Sequence, residues 1–242
     1  MRDRRPYAPP EPVYRRPWSL AGLLDHAMAF LTVTIAGWWI SILVEWAGIG
    51  FHWWDLPGAA HSQDVLRTEL SWLKADFTAA EFTLRVIDWA YWGAQMLYHW
   101  SGLEWIVRWI VADPTLPYPG PTPLRQTLRH FGDYLLAATY VTQLVGARLA
   151  VVWLTLPVFL LMGLMGVIDG LVMRDLRRFG GGAESSFMYH HLKKMIRPMA
   201  SVPIFLYLIA PWSVHPTLLF GPFTLLFGYF MQRTLSKFKK YL

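Results

Sequence analysis

LAVVWLTLPVFLLMGLMGVI, residues 149–168, runs for 20 residues without a charge. A helix rises about 1.5 Å per residue, so about 20 residues cross the roughly 30 Å hydrocarbon core of a bilayer. In lipid the backbone must satisfy its own hydrogen bonds, which makes such a run a transmembrane helix. Working outward, AMAFLTVTIAGWWISILV (27–44) is charge-free over 18 residues, and Pro198–Gln232 over 35. The first of these reads as one span. The second is too long for one span and is interrupted by PWSVHP (211–216). It is expected to form two short helices joined by a tight outer turn, with a re-entrant hairpin as the alternative. Either version returns the chain to the side it came from.

Composition points the same way. The 242 residues are 55% hydrophobic and 16% charged, against about a quarter charged in ordinary soluble domains. Mean hydropathy is +0.30, and there are 14 Trp, 14 Phe and 11 Tyr. A disordered tail, a coiled coil, a collagen-like chain and a disulfide scaffold are excluded. With no Cys, thiolate catalysis, Cys-ligated zinc and iron–sulfur clusters are excluded too. The stretch from Leu20 to Val44 exceeds the 7–15 residues of a signal-peptide core and reads as a signal anchor.

The net charge of +6 is placed as a membrane protein would place it. Cytoplasmic segments are enriched in Lys and Arg. Five Arg lie in residues 1–18, six basic residues in 173–197 and four in 233–242. The fold expected is an all-α membrane protein with about four transmembrane helices and both termini cytoplasmic. Its parts are a Pro/Arg-rich tail (1–18), transmembrane helix 1 (19–44), a periplasmic helical region of roughly 85 residues (45–130), and a long helix containing transmembrane helix 2 (131–172). A basic cytoplasmic loop (173–197), the helix pair or hairpin (198–232) and a basic tail (233–242) complete it. A fifth span at the aromatic segment 89–103 would turn the 173–197 loop outward, so that segment is read as an outer helix lying on the bilayer or packed on other helices.

Trp38, Trp39, Trp46, Trp53 and Trp54 read as an aromatic belt at the water–lipid boundary. Helices are expected at about 63–76 and 78–111, with breaks at Asp113-Pro114 and PYPGPTP (117–123). One long helix can then run from Pro123 to Arg178, kinked at Pro157. Gly163, Gly166 and Gly170 give it a face of small residues at helix-packing spacing. The partner could be this chain's own helices, a second copy in a homo-oligomer, or another protein's span.

The loop carries the candidate interaction residues Arg174, Arg177, Arg178, Glu184, Phe187, Tyr189, His190, His191, Lys193, Lys194 and Arg197. Anionic lipid or an acidic protein would suit these charges. A metal site is disfavoured, because the adjacent His190 and His191 would point about 100° apart on a helix. No nucleotide loop, HExxH or GxSxG is present, so no catalytic, cofactor or metal residues are expected and the chain is read as non-enzymatic. Asp25, Asp133, Arg148 and Asp169 are the candidates for buried charge, all close to predicted boundaries. His52 and His215 read as interfacial polar residues. The basic stretches lack the extent and interleaved aromatics of a single-strand groove, so direct nucleic-acid binding is not expected.

RRFGGGAESSFMYHHLKK (177–194), after a long span and before a Pro-interrupted apolar pair, resembles the membrane-protein family of integrating conjugative elements and related conjugative plasmids of Gram-negative bacteria. Gly180 to His191 is the most specific part, and the rest is likeness of pattern. The resemblance implies an inner-membrane accessory or scaffold protein of conjugative DNA transfer and so of horizontal gene transfer. Its gene would accompany that of the coupling ATPase, and its partners would be that ATPase or other proteins of the type IV secretion channel. A transporter or channel component is the alternative, motivated by the discontinuous last helix pair.

Overall fold

The computed structural model describes residues 20–76, 81–111, 128, 131–180 and 186–238. The Pro/Arg-rich tail, the 117–123 breaker, the long-helix start at Pro123, Glu184 and the last basic residues lie outside these. The described residues form seven helices and no strands. They are α1 (Leu20–Phe51), α2 (Ala60–Asp76), α3 (Glu81–Trp100), α4 (Leu103–Val111), α5 (Gly132–Phe179), α6 (Ser186–Ile209) and α7 (Pro216–Ser236).

Helix α5 is the axis of the bundle and touches every other helix. Its 48 residues extend about 72 Å at 1.5 Å per residue. Pro157 lies inside it without ending it. The first half of α5 is wrapped by neighbours: Ile42 of α1, Leu208 of α6 and Ala138, Val141 and Val145 form one core cluster, while Val65 and Leu66 of α2 meet Leu144. Across α2, α3, α5, α6 and α7, a third cluster joins Leu73, Ala90, Ala94, Val151, Phe159, Tyr207 and Phe220.

Contacts along the helices fix their directions. Trp38 meets Thr142 and Trp46 meets Tyr134, so α1 runs antiparallel to α5. Gly163 faces Phe227 and Gly170 faces Gln232 and Leu235, so α7 runs parallel to α5. Tyr207 packs on Phe220 and Tyr189 on Phe238, so α6 runs antiparallel to α7. The start of α1, the end of α5, the start of α6 and the end of α7 therefore share one end of the bundle, here the basic end. The 210–215 turn closes the other.

Among the described residues two helical stretches, Ala27–Phe51 and Gly132–Phe179, are long and apolar enough to cross a membrane. Their outward faces are apolar: Leu31, Trp39, Leu160, Leu161, Met165 and Ile168 are all exposed. Patches of this extent mark a surface that meets something other than water.

Four expected boundaries move. Helix α1 does not end at Val44 but continues through Glu45 to Phe51, because Glu45 turns inward to a partner on α2. The helix expected over 78–111 is two, divided at Ser101 and Gly102, where Gly102 adopts φ +75°, a conformation that suits a residue without Cβ. Its aromatic segment packs on α5, with Gly93 and Gly146 backbone to backbone. The loop helix and the third apolar segment are one helix, α6, which runs through Pro198 and Pro203. The last two helices are therefore 24 and 21 residues long, not the short halves read from the apolar run alone.

Candidate functional site

Two polar constellations flank the apolar middle of α5. The first is a buried clasp at the turn end. Glu69 lies on the apolar face of α2, in register with Val65, Leu66 and Leu73, and its side chain is 6% exposed against 1% for Arg148. Arg148 Nε donates to Glu69 Oε1 and Oε2 at 3.2 and 3.0 Å, and Nη2 donates to Oε1 at 2.5 Å. The rest of the guanidinium grips the end of α6. Nη1 donates to Ala210 O at 2.7 Å and Leu208 O at 3.5 Å, and Nη2 to Trp212 O at 3.1 Å. The last carbonyls of a helix have no partner within it and carry its negative dipole end, so a cation from α5 suits them. Ser41 Oγ of α1 donates to Leu208 O at 2.9 Å. The Val214 amide donates to Glu69 Oε1 at 3.4 Å, and Tyr207 Oη to Oε2 at 3.5 Å. Four elements are thus tied to one turn. Every N–H direction of Arg148 and both oxygens of Glu69 are occupied, leaving no open position for a substrate.

A second buried carboxylate, Glu45, sits 3.0 and 3.2 Å from His61 Nδ1. The His61 ring stacks on Trp54 at 4.0 Å and 1°, and Trp54 in turn lies against Gly48. Across the α3–α4 junction, His99 of α3 and Glu104 and Arg108 of α4 form a surface network. The hydrogen bond from His99, with Arg108 adding to it, holds the Glu104 carboxyl below its usual range.

The basic end is open by contrast. The end of α5, with Arg174, Arg177 and Arg178, lies at the same end of the bundle as the first turns of α6, which carry Tyr189, His190, His191, Lys193, Lys194 and Arg197. Tyr189 packs on Phe238 and lies under Lys193 Nζ at 5.8 Å. Arg174 pairs with Asp175 at 3.0 Å. Arg178, His190, His191, Lys193, Lys194 and Arg197 are exposed. Phe187 begins α6. No group of three or more metal-ligating residues occurs among the described residues.

The expected glycine face is occupied from within the chain. Gly166 abuts Gly228 O, and a Cβ on Gly170 would stand 2.6 Å from Gln232 O. The belt of five Trp divides. Trp38 Nε1 donates to Thr142 Oγ1 at 2.9 Å, Trp46 Nε1 donates to Tyr134 O at 2.8 Å, and Trp54 stacks on His61. Trp39 and Trp53 alone of the five face outward. Arg148 was legible as a charge beside a span, but Glu69 and Glu45 were not singled out. The signal for Glu69 was a carboxylate on the apolar face of an amphipathic helix.

No curated protein and no solved structure matches the chain. A family model described as IncC plasmid conjugative DNA transfer protein DtrJ-like matches residues 53–239. That description names a plasmid system, where the loop resemblance pointed first to integrating elements, and the process is the same. The match runs from the end of α1 through the clasp and both glycine faces to the basic end, and the chain belongs to this DtrJ-like family of conjugative DNA transfer proteins.

Proposed function

We propose that the protein is a non-enzymatic inner-membrane scaffold of the conjugative type IV transfer apparatus, with α1, α5, α6 and α7 as four spans and both termini cytoplasmic. In this reading the clasp lies at the periplasmic boundary, holding the outer helices on the spans, and the basic end docks the coupling ATPase. One observation carries the reading. The basic ends of α5, α6 and α7 meet at one end of the bundle, while the buried polar groups at the other end are fully engaged with one another. Such a molecule offers a charged surface at one end. The family's role in conjugative transfer supports it.

The test replaces the exposed Arg178, Lys193 and Lys194 together by Gln. DNA transfer should fall at least about tenfold while membrane insertion is kept, since each lost charge near an acidic surface removes about 1 kcal/mol. Transfer at the unmodified level refutes the docking role.

A further inference from the structure

We propose that the protein assembles with copies of itself, the N-terminal half of α1 of one copy lying in an apolar groove along α5 of the next. The proposal rests on the membrane-spanning reading and on two features of the same chain. The first is an arm. Gly37, Trp38, Ser41, Ile42 and Trp46 hold α1 on the bundle. Toward its start the helix leaves its neighbours, and none of residues 27–36 is buried. Leu24, Met28, Leu31 and Ile35 share one face by their three- and four-residue spacing and are 57, 61, 50 and 45% exposed. Phe30, on another face, is exposed too.

The second is a groove. Leu156, Leu160, Val167, Phe227 and Met231 of α5 and α7 line a hollow of about 640 Å³. Trp89, Trp92, Met96, Gly146 and Ala150 of α3 and α5 line another of about 400 Å³. Trp153 lines both, and Leu149, Trp153, Leu156 and Leu160 follow one face of α5. The hollows therefore form one apolar groove from Gly146 to Val167, about 32 Å long at 1.5 Å per residue. Arm and groove match in depth and length. Gly37 packs on Leu208 and Ile209, and Arg148 donates to Ala210 O, so both stand level with the end of α6. From that level toward the basic end, α1 runs back to Leu20 over about 25 Å and the groove runs on to Val167 over about 28 Å. Copies that share a bilayer share this depth. Asp25 lies about 100° round the helix from Leu24, off the seated face. In lipid, helices associate through packing rather than through the hydrophobic effect, and an arm without neighbours has none. A foreign span would fill the groove and leave the arm bare, whereas a second copy fills both. Each copy gives one arm and takes one, a contact that closes as a two-fold arm exchange or as a ring.

The chain has no Cys, so introduced cysteines report contacts without a background. Two differently tagged full chains are co-expressed in membranes, one with Met28→Cys and one with Leu156→Cys. These positions lie about 13 and 12 Å from the level of the α6 end. Mild oxidation should give a product of twice 28.0 kDa that carries both tags. Met28→Cys paired with Met195→Cys, on the exposed side of α6, should give at least about fivefold less. Leu160→Trp alters a side chain that is 64% exposed, so the fold tolerates it; it narrows the groove and should lower the mixed product by a similar factor. A mixed product no stronger than the Met195→Cys control, or an unchanged yield in Leu160→Trp, overturns the proposal. With both cysteines in one chain, a disulfide that stays at monomer mass would seat the arm in its own groove and overturn it as well. Failure of the membrane reading would show separately, as release of the chain from membranes by alkaline wash.

Discussion

Replacing Arg148 by Met removes the group on which α2, α5 and the 210–215 turn converge. Glu69 would be left buried without a counterion, and the carbonyls of Ala210 and Trp212 would lose donors at 2.7 and 3.1 Å. Removing one partner of a buried ion pair costs about 3–5 kcal/mol. For a chain of 242 residues, each kcal/mol shifts the melting temperature by roughly 2–4 °C. Arg148→Met should therefore melt about 6–20 °C lower in detergent. Glu69→Leu alone strands the guanidinium and should cost a similar amount. The double variant strands neither charge, and replacing a buried pair by apolar groups is often close to neutral. It should be less destabilised than the sum of the singles by at least about 2 kcal/mol. A melting temperature for Arg148→Met within about 2 °C of the unmodified chain, or strictly additive effects, would refute the clasp.

Gly166→Leu with Gly170→Leu should lower the melting temperature while the particle keeps its size by light scattering, because α7 of the same chain occupies that face. A smaller particle would place the contact between chains. Trp46→Phe should destabilise by about 1 kcal/mol, the worth of its hydrogen bond to Tyr134 O. Trp39→Phe should change little, since its ring is 52% exposed. Gly93→Val should loosen α3 from α5, seen as faster proteolysis at Ser101–Gly102, because its Cβ would meet Gly146 O at 2.6 Å. Reporter fusions at residues 60, 183 and 242 should read periplasmic, cytoplasmic and cytoplasmic, and a periplasmic signal at 183 would overturn the four-span topology.

The apolar runs made the long helices legible because length against bilayer thickness is a strong criterion that needs no partner. What they could not show is where a helix ends when its terminal charges turn inward. Glu45 looks like an exit from lipid until His61, on another helix, is seen to take it. The start of α6 was hidden for a related reason. The loop charges end at Arg197, where the apolar run begins, yet one helix is continuous from Ser186 through Pro198 and Pro203 to Ile209. The basic end was readable from charge alone, as was the small-residue face. Its partner was not, because spacing reveals a surface and not what covers it. The clasp needed the fold itself, since residues 69 and 148 are far apart in the chain and lie on different helices.

The central claim, a scaffold docked to the coupling ATPase through its basic end, is tested most directly by affinity purification of the full chain from conjugating cells in mild detergent, with identification of co-purifying proteins. The account predicts that the coupling ATPase is recovered with the unmodified chain and lost when Arg178, Lys193 and Lys194 are replaced by Gln. Recovery of the ATPase at the same level with both chains, or with neither, would contradict it.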